Sequence, residues 1–533
     1  MFAIVLSFSN GTSYHIFIQM TYSYNFQERD NNPLKYLFFI WILYIAFLVF
    51  PQHIGLNIII AIYCMLTFIV RPLWGVFFII AVHPIMMCSF NVFLPVGLPI
   101  KIITSTEIPY GPSGIGACGS PFSVYPFQTA SFMLLPALIF HSRTFYRQDT
   151  TKHYKKTFYI TLSFFFTCGI ITSLLALYPY KALLGLSRFA SLTITIAYIV
   201  SFINDIYKLK KVMLTYCCAA IILSFFAYYG TYNGYEKVSI IWNNCGIIVR
   251  QMQGLTNGSS AFIAERQGMM PGFGLSGKHE FSTFLVTGFF CSIYLFITTK
   301  NKIHSIFYIV ANITILQALF YGPSKLSLLG IVIGTLVVTI FNPSIRRYLA
   351  LIVIVLVGLN ILALMLSSYT RPPHTKRTAS LSSNFKMVND SSEFSTSFKG
   401  RIAKMKRAAK HIKLSYGLGI GSDMLQHDPI FTDVHGHNLF ITLFAEYGLS
   451  SIICLFILGK LVGCRVAPII TSQTCMYNRI SFVVVPVTAS FFAILFEYNF
   501  DCFVWAPQLW ITGALLWVSG HISNNYFSLQ HAS

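Results

Sequence analysis

Long apolar runs recur along the whole of this 533-residue chain and constrain its fold more than any other feature. As helices, they are long enough to cross about 30 Å of hydrocarbon, where only helices or closed barrels satisfy their backbone groups. With 55% hydrophobic and 10% charged residues, the chain is not a soluble globular protein. We predict an all-α polytopic membrane protein with roughly 12 to 14 transmembrane helices, about 14 by our count. The runs lie near 36–51, 54–71, 74–95, 126–142, 157–177, 182–203, 212–230, 281–299, 304–321, 326–341, 348–367, 438–460, 478–497 and 504–521.

Short basic connections between the runs predict which side of the membrane each one faces. If the helices alternate, all these connections fall on one side, which the positive-inside rule assigns to the cytoplasm. Both termini are then cytoplasmic, and the loops 96–125, 231–280 and 368–437 lie outside. The cations are Arg143, Arg147, Lys152, Lys155, Lys156, Lys208, Lys210, Lys211, Lys300, Lys302, Arg346, Arg347, Lys460, Arg465 and Arg479.

The loops also divide the chain into four predicted parts. An N-terminal transmembrane helix bundle occupies 1–230, and central transmembrane helices occupy 231–367, beginning with their own outer loop. The large outer loop 368–437 follows, and C-terminal transmembrane helices occupy 438–533.

Composition gives little support for metal, redox or nucleic-acid chemistry. The 12 cysteines show no C-x-x-C spacing, and most lie in apolar runs, where a thiol packs as a small hydrophobe. In a soluble protein the formal charge of +21 would suggest nucleic-acid binding, but in a membrane protein the cations first have to be assigned to a side of the membrane. We therefore expect no metal, no cofactor and no nucleic-acid partner.

The loop 368–437 carries many cations and few acids, and a loop of this length is exempt from the positive-inside rule. Its serine-rich part, 378–397, is predicted to be a mobile surface segment. From Arg401 to Leu414, apolar residues recur every three or four positions, with lysines and arginines on the other face. This pattern predicts a basic amphipathic helix at the outer membrane surface. The apolar members are Ile402, Met405, Ala409 and Ile412.

Glycines and a histidine–asparagine pair separate this helix from the next apolar run. Gly417, Gly419 and Gly421 end the helix and let the backbone turn close to a ligand. His437 and Asn438 then open the run. Two interpretations stay open here, because a histidine can act as a base near neutral pH, whereas both residues are also ordinary at a helix start and asparagine is a good N-cap.

The segments Gly400-Arg401, Gly417-Leu418-Gly419, His437-Asn438-Leu439 and Glu446-Tyr447-Gly448 together resemble the signature region of the O-antigen ligase and polymerase superfamily. That family has an arginine-led amphipathic helix, a G-x-G, and a histidine followed by Asn, Ser or Gln, with a glycine ten residues later. The spacing fits here. Ser451 departs from the ligase pattern, which usually has Gly, Thr or Tyr at this position.

Weaker similarities extend this resemblance over 262–515. Arg266 and Gly268 stand where the family places an arginine and a glycine before a membrane helix. Lys278-His279-Glu280 occupies a helix start that contains asparagine in the family. Ser324-Lys325 stands where many members have Ser-Arg.

The resemblance implies a GT-C-like fold and a glycosyltransferase of the bacterial inner membrane that acts at the periplasmic face. The implied donor is a glycan on undecaprenyl diphosphate, and the acceptor is either another glycan, for a polymerase, or lipid A core, for a ligase. Spans beyond the dozen usual for ligases favour a polymerase. Membrane lipids surround such an enzyme, and the resemblance allows a chain-length regulator or a flippase as a partner.

Glycan transfer needs cations for the departing diphosphate and a group that activates or orients the acceptor hydroxyl. Arginine pairs bidentately with phosphate oxygens, and histidine exchanges protons near neutral pH. We predict a metal-independent reaction in which all four strongest candidates, Arg401, His437, Arg266 and Lys325, line one outward-facing cavity. The predicted catalytic residues are His437, Arg401 and Arg266, and the predicted substrate-binding residues are Lys325, Ser324, Asn438, His435, Arg188 and Lys404.

Blander interpretations exist for several of these residues. The outer lysines can snorkel to lipid phosphates, and Arg188, near the outer end of its run, can do the same. Glu446 faces roughly the same side as His437 and is expected to pair with a buried cation. A lipid-linked oligosaccharide flippase, or another polysaccharide transporter, is the alternative function. It would show related halves and charges deep in its spans, whereas here the unusual residues gather in one long outer loop.

Overall fold

The computed structural model describes ten stretches of the chain. Contacts divide the chain into two units, Met1–Asn32 and Pro33–Ser533, and all the described helices belong to the second. The described residues are 32–49, 54–82, 126–147, 152–233, 278–321, 325–341, 391–427, 438–471, 481–500 and 507–532.

Sixteen α-helices account for nearly all of the described residues, which contain no β-strand. Two short 3-10 turns, Met424–His427 and Ser481–Val483, accompany them. The helices are α1 (Pro33–Val49), α2 (Ile54–Val70), α3 (Pro72–Val82), α4 (Pro126–Phe132), α5 (Leu135–Arg147), α6 (Lys152–Leu174), α7 (Pro179–Phe202), α8 (Ile206–Asn233), α9 (Lys278–Thr298), α10 (Lys302–Tyr321), α11 (Lys325–Phe341), α12 (Ser391–Leu414), α13 (Leu439–Tyr447), α14 (Leu449–Thr471), α15 (Val484–Tyr498) and α16 (Pro507–Ala532).

Among the described residues, five helices are long and apolar enough to cross a membrane by length and composition. Shorter apolar stretches occur in α1, α2, α3, α11 and α15, and one extends from α4 into α5. The prediction of an all-helical polytopic membrane protein is thereby confirmed, while the full number of spans stays a prediction. The five segments are Lys156–Leu174, Pro179–Phe202, Phe281–Thr298, Lys302–Leu319 and Leu449–Thr471.

Several predicted boundaries differ from the structure. The run 438–460 is two helices, because the chain breaks at Gly448 between α13 and α14, and α14 then continues to Thr471. The run 126–142 is likewise divided between α4 and α5. The run 348–367 lies outside the described residues.

The basic helix α12 begins at Ser391, so part of the segment predicted to be mobile is helical. The high serine content of 378–397 therefore led to a predicted helix start, Arg401, that is ten residues too late.

Close packing between helices depends on small residues. A Cβ at Gly330 of α11 would lie 2.8 Å from the backbone oxygen of Ala493 in α15, and one at Gly334 would overlap the oxygen of Ala489. Glycines spaced four residues apart let two backbones approach, as is common between membrane helices. The α11–α15 pair is therefore one fixed unit of the bundle.

Side-chain hydrogen bonds show how the helix ends are grouped. At one end, Ser327 near the start of α11 bonds Glu497 near the end of α15, and Asn438 before α13 bonds Asn499 after α15. At the other end, Tyr159 bonds Ser201. Ends that the sequence assigns to the outer side thus meet each other, as do ends assigned to the inner side. Which end faces the periplasm stays a prediction.

Candidate functional site

A backbone contact joins the glycine loop after α12 to the junction between α13 and α14. The amide of Ile420 donates to the oxygen of Ala445 at 3.0 Å, and that of Gly421 to the oxygen of Glu446 at 2.9 Å. In return, the amide of Leu449 donates to the oxygen of Gly417 at 2.8 Å. The loop therefore runs alongside residues 445–449 and is fixed to them at both ends.

Glycine is required on both sides of this contact. Gly419 has φ 93°, and a Cβ there would lie 2.6 Å from the oxygen of Glu446. Gly448 has φ 69°, and a Cβ there would overlap the backbone of Gly417 and Leu418. Both φ values lie in the region that only glycine adopts freely. The G-x-G and the distant Gly448 of the sequence pattern are thus two halves of one contact.

The buried side of α12 differs from the predicted apolar face. Ala408 and His411 are buried on it, and Ile402, Met405 and Ile412 are partly buried, whereas Ala409, which was predicted to lie on the apolar face, is exposed. Burial of Ala408 and His411 in place of Ala409 rotates the centre of the buried face toward the side that carries Arg401 and Lys404, while three of the predicted apolar residues stay partly buried.

This rotation separates the cations of α12 into two groups. Arg401 and Lys404 precede Ala408 by seven and four positions, which places them on its face, and both are partly buried. The remaining cations of the helix after Gly400 are exposed. They are Lys406, Arg407, Lys410 and Lys413.

A small apolar cluster fixes α12 against α13. Ala408, Leu425 and Ala445 form its buried centre. Because both helices end at the glycine contact and pack side by side through this cluster, they approach that contact from the same general direction. Arg401 therefore lies toward the end of the bundle where α13 begins. Ile412, Ile420 and Ile441 complete the cluster.

Asn438 caps α13. Its Oδ1 accepts a hydrogen bond from the amide of Ile441 at 3.0 Å, which is the usual N-cap geometry. Its Nδ2 donates to Oδ1 of Asn499 at 3.1 Å. Both polar ends of the side chain are thus engaged within the protein, and they fix the chain directly after His437.

The last turn of α15 connects this cap to the start of α11. Glu497 is fully buried, and its Oε2 accepts a hydrogen bond from Ser327 Oγ at 2.6 Å. Asn499, two residues later, holds Asn438. The backbone of Lys325 begins α11, so Lys325 and Asn438 lie at the same end of the bundle. Sequence reasoning did not single out Glu497, although a carboxyl inside an apolar run was the available signal.

Arg188 of α7 forms an ion pair with Asp423, with Nη1 and Oδ2 2.5 Å apart and both side chains 12% exposed. Asp423 has φ 61°, a left-handed conformation that aspartate tolerates better than most residues. A Cβ at Gly185, one turn before Arg188, would lie 2.6 Å from Cβ of Asp423, so the loop sits directly on α7. The sequence did not name this carboxylate partner, and a role for Arg188 in substrate binding stays a prediction.

Glu446 lies beside this ion pair. Its buried carboxyl accepts hydrogen bonds from the amides of Asp423 and Leu425, and Arg188 is close enough to attract it. Burial, and then the neighbouring charge of Asp423, raise the pKa of Glu446 well above its usual value. A cation thus lies near Glu446 as expected, but its ion pair is with Asp423, and the Glu446 carboxyl is held by backbone amides. The nine-residue α13 is itself too short to span a membrane.

Four predicted site residues fall outside the described residues: His437, His435, Arg266 and Ser324. The side chain of Lys325 is not described either. The shared cavity predicted for Arg401, His437, Arg266 and Lys325 therefore stays a prediction. Within the described stretches, no group of three or more His, Cys, Asp or Glu residues suits a metal ion.

Comparison with known proteins bears on this region of the chain. Residues 310–456 match the model of a family described as O-antigen ligase. The match includes α11, α12, the glycine loop and α13, and it confirms the resemblance to the O-antigen ligase and polymerase superfamily in this part of the chain. No curated protein matches the chain.

Proposed function

We propose that this chain, a membrane protein whose residues 310–456 match the O-antigen ligase family, is an inner-membrane glycosyltransferase. It moves a glycan from undecaprenyl diphosphate to an acceptor sugar at the periplasmic face. The backbone contact between the glycine loop and Gly448 is the main support, because it joins the basic helix α12 to the helix that begins just after His437.

In the proposed reaction, an acceptor hydroxyl oxygen attacks C1 of the donor sugar. The C1–O bond to the diphosphate breaks, and the diphosphate leaves with both electrons of that bond. Arg401, Arg266 and Lys325 stabilise its growing negative charge, with Lys404 and Ser324 contributing to binding. The partial burial of Arg401 and Lys404 supports this assignment, because a partly desolvated cation attracts a phosphate more strongly than a fully solvated one.

His437 either accepts the proton of the acceptor hydroxyl or orients that hydroxyl for attack, and His435 orients His437. Asn438 serves this step by fixing the start of α13 through its N-cap bond and its bond to Asn499. No step requires a metal ion, since the cations take over the electrostatic work that Mg²⁺ does in many nucleotide-sugar enzymes.

The acceptor is another lipid-linked glycan for a polymerase or lipid A core for a ligase, and the predicted number of spans favours the polymerase. Lipopolysaccharide from a deletion strain separates the two. Core capped with a single repeat is expected for a lost polymerase. Uncapped core with accumulated lipid-linked polymer would instead identify a ligase.

A flippase is the competing proposal. The bundle contains more buried charge than the sequence suggested, including Glu446, Glu497 and Arg465. Each of these groups bonds a neighbouring element: Glu446 the glycine loop, Glu497 Ser327, and Arg465 His521 at 2.7 Å. A transporter alternates between inward-open and outward-open states, which would have to break such bonds between helices. These buried charges therefore favour an enzyme with a fixed helix bundle.

The proposed function is tested by His437→Ala, with Lys300→Gln on the turn between α9 and α10 as the matched control. We expect His437→Ala to lower glycan transfer in membranes about 100-fold or more, because acid–base help contributes at least that much. Unaltered surface glycan in a His437→Ala, Arg401→Ala double variant, with the protein present at wild-type levels, would rule out the catalytic assignment.

A further inference from the structure

The C-terminal end of α12 presents a cationic surface that the proposed reaction does not use. Lys410 and Lys413 are exposed there, on the side of the helix that carries Lys406 and Arg407. No aspartate or glutamate occurs from Gly400 to Ser422, so nothing in this segment neutralises the lysines. The surface is therefore suited to an anionic ligand.

Three large apolar side chains are exposed directly beside these lysines: Leu414 at 66%, Tyr416 at 93% and Leu418 at 72%. Their backbone is held in place, because the amide of Gly417 donates to the oxygen of Ile412 at 2.9 Å and that of Leu418 to the oxygen of Ser415 at 2.9 Å. Tyr416 has φ 52°, an unfavourable conformation for a residue other than glycine. The fold thus holds an aromatic ring outward in a strained conformation, which is characteristic of functional positions.

This apolar group continues a stripe on a membrane-spanning helix. The bond from Leu449 to Gly417 places the loop at the first residue of α14, which is long and apolar enough to cross a membrane. Leu449, Ile453 and Phe456 are all exposed on α14, at spacings of four and three residues that put them on one face. Such an apolar stripe is expected to contact lipid tails. The exposed loop side chains lie at the end of the stripe where α14 begins.

We infer that Lys410, Lys413, Leu414, Tyr416 and Leu418 form a docking surface for the bilayer that binds anionic phospholipid headgroups. The leucines and the tyrosine ring enter the boundary between headgroups and acyl chains, where amphipathic aromatic rings are favoured. The two lysines pair with lipid phosphates. Because Arg401 lies on another face of the same helix, docking also sets its height relative to the lipid phosphates.

The test places an environment-sensitive fluorescent amino acid at position 416 of the full-length chain in nanodiscs. The discs contain brominated phosphatidylcholine, with or without phosphatidylglycerol. We expect the bromines to quench the probe, and phosphatidylglycerol to increase the quenching. The double variant Lys410→Gln, Lys413→Gln is expected to abolish this increase, since each lysine near an anionic surface contributes about five-fold to the docking equilibrium.

Lys300→Gln, Lys302→Gln is the matched control, because Lys300 lies on the turn between α9 and α10, Lys302 begins α10, and both lysines are exposed. It is expected to keep the dependence on phosphatidylglycerol. A probe that is not quenched in either lipid, or a phosphatidylglycerol effect that survives the loss of Lys410 and Lys413, would overturn the inference.

Docking and glycan transfer are separable in this design. His437→Ala is expected to leave the quenching of the probe unchanged, so its effect on transfer reports on the proposed function alone. Equal thermal unfolding of all variants in detergent confirms that the lysine substitutions leave the fold intact.

Discussion

The two sides of α12 carry the same kinds of cation in different surroundings. Arg401 and Lys404 lie on the side that packs against α13 and are partly buried, whereas Arg407, Lys410 and Lys413 are exposed. In the sequence these residues form a single basic cluster. Packing divides that cluster, and we propose that one group serves the diphosphate and the other the lipid surface.

The largest expected effect separates two arginines of this helix. We expect Arg401→Ala to lower glycan transfer about 100- to 1000-fold, the usual loss when one electrostatic contact to a transition state is removed. Arg407→Ala, the matched exposed change, is expected to leave transfer within about two-fold. Transfer rates in membranes with a lipid-linked donor measure both. Equal losses in the two variants would break the distinction between the two sides.

The next effect concerns the contact that holds α12 in place. Gly448→Ala puts a Cβ into the backbone of Gly417 and Leu418 at a positive φ, and we expect it to destabilise the fold by about 1–3 kcal/mol. Gly459→Ala on α14 is the control, because nothing lies within 4 Å of a Cβ there. It should be neutral or slightly stabilising, since alanine is the better helix former. Thermal unfolding of the purified proteins measures the difference, and an unchanged Gly448→Ala protein would contradict the packing.

A smaller effect depends on pH. The pKa of Glu446 is raised on folding above the unfolded value of about 4.5, so the native state holds this proton more tightly than the unfolded chain. Stability is then greatest below the unfolded value and is lost as pH rises through the folded pKa, by at most about 1.4 kcal/mol per pH unit.

Glu446→Gln removes this titration while keeping an oxygen that accepts from the amides of Asp423 and Leu425. We expect its melting temperature to fall less with rising pH than that of the wild type. Parallel pH profiles in the two proteins would show that Glu446 does not titrate in this range.

The smallest effect on transfer is expected from the docking surface. Lys410→Gln, Lys413→Gln removes two exposed charges that do not contact the proposed site, so we expect a change in transfer of less than about five-fold. Assays in membranes with and without added phosphatidylglycerol measure it. A loss as large as that of Arg401→Ala would place these lysines in the reaction itself and erase the difference between the two sides.

The resemblance to the O-antigen ligase and polymerase superfamily was readable from the sequence because it rests on local features. An arginine-led basic helix, a G-x-G, and a glycine at a fixed distance after a histidine and an asparagine are all visible along the chain. The start of α13 was equally readable, because Asn438 is a favoured N-cap and the structure shows it capping.

Other features of the region were not readable. Whether residue 408 or 409 faces inward cannot be derived from a helix with alanine at both positions, since either fits the period. The break at Gly448 lies within an apolar run that a single helix would explain equally well. The helix breaks there because the backbone of Gly417 and Leu418 occupies the space beside Gly448, and because the oxygen of Gly417 accepts a hydrogen bond from the amide of Leu449.

The sequence by itself determined that this is a helical membrane protein with a basic, glycine-containing segment before α13, because hydrophobicity and helix capping act over short distances along the chain. Only the tertiary structure decided the partners of its buried groups. Arg188 meets Asp423 across 235 positions, and Glu497 meets Ser327 across 170. Pairing a buried charge depends on which helices come together, and no local pattern specifies that.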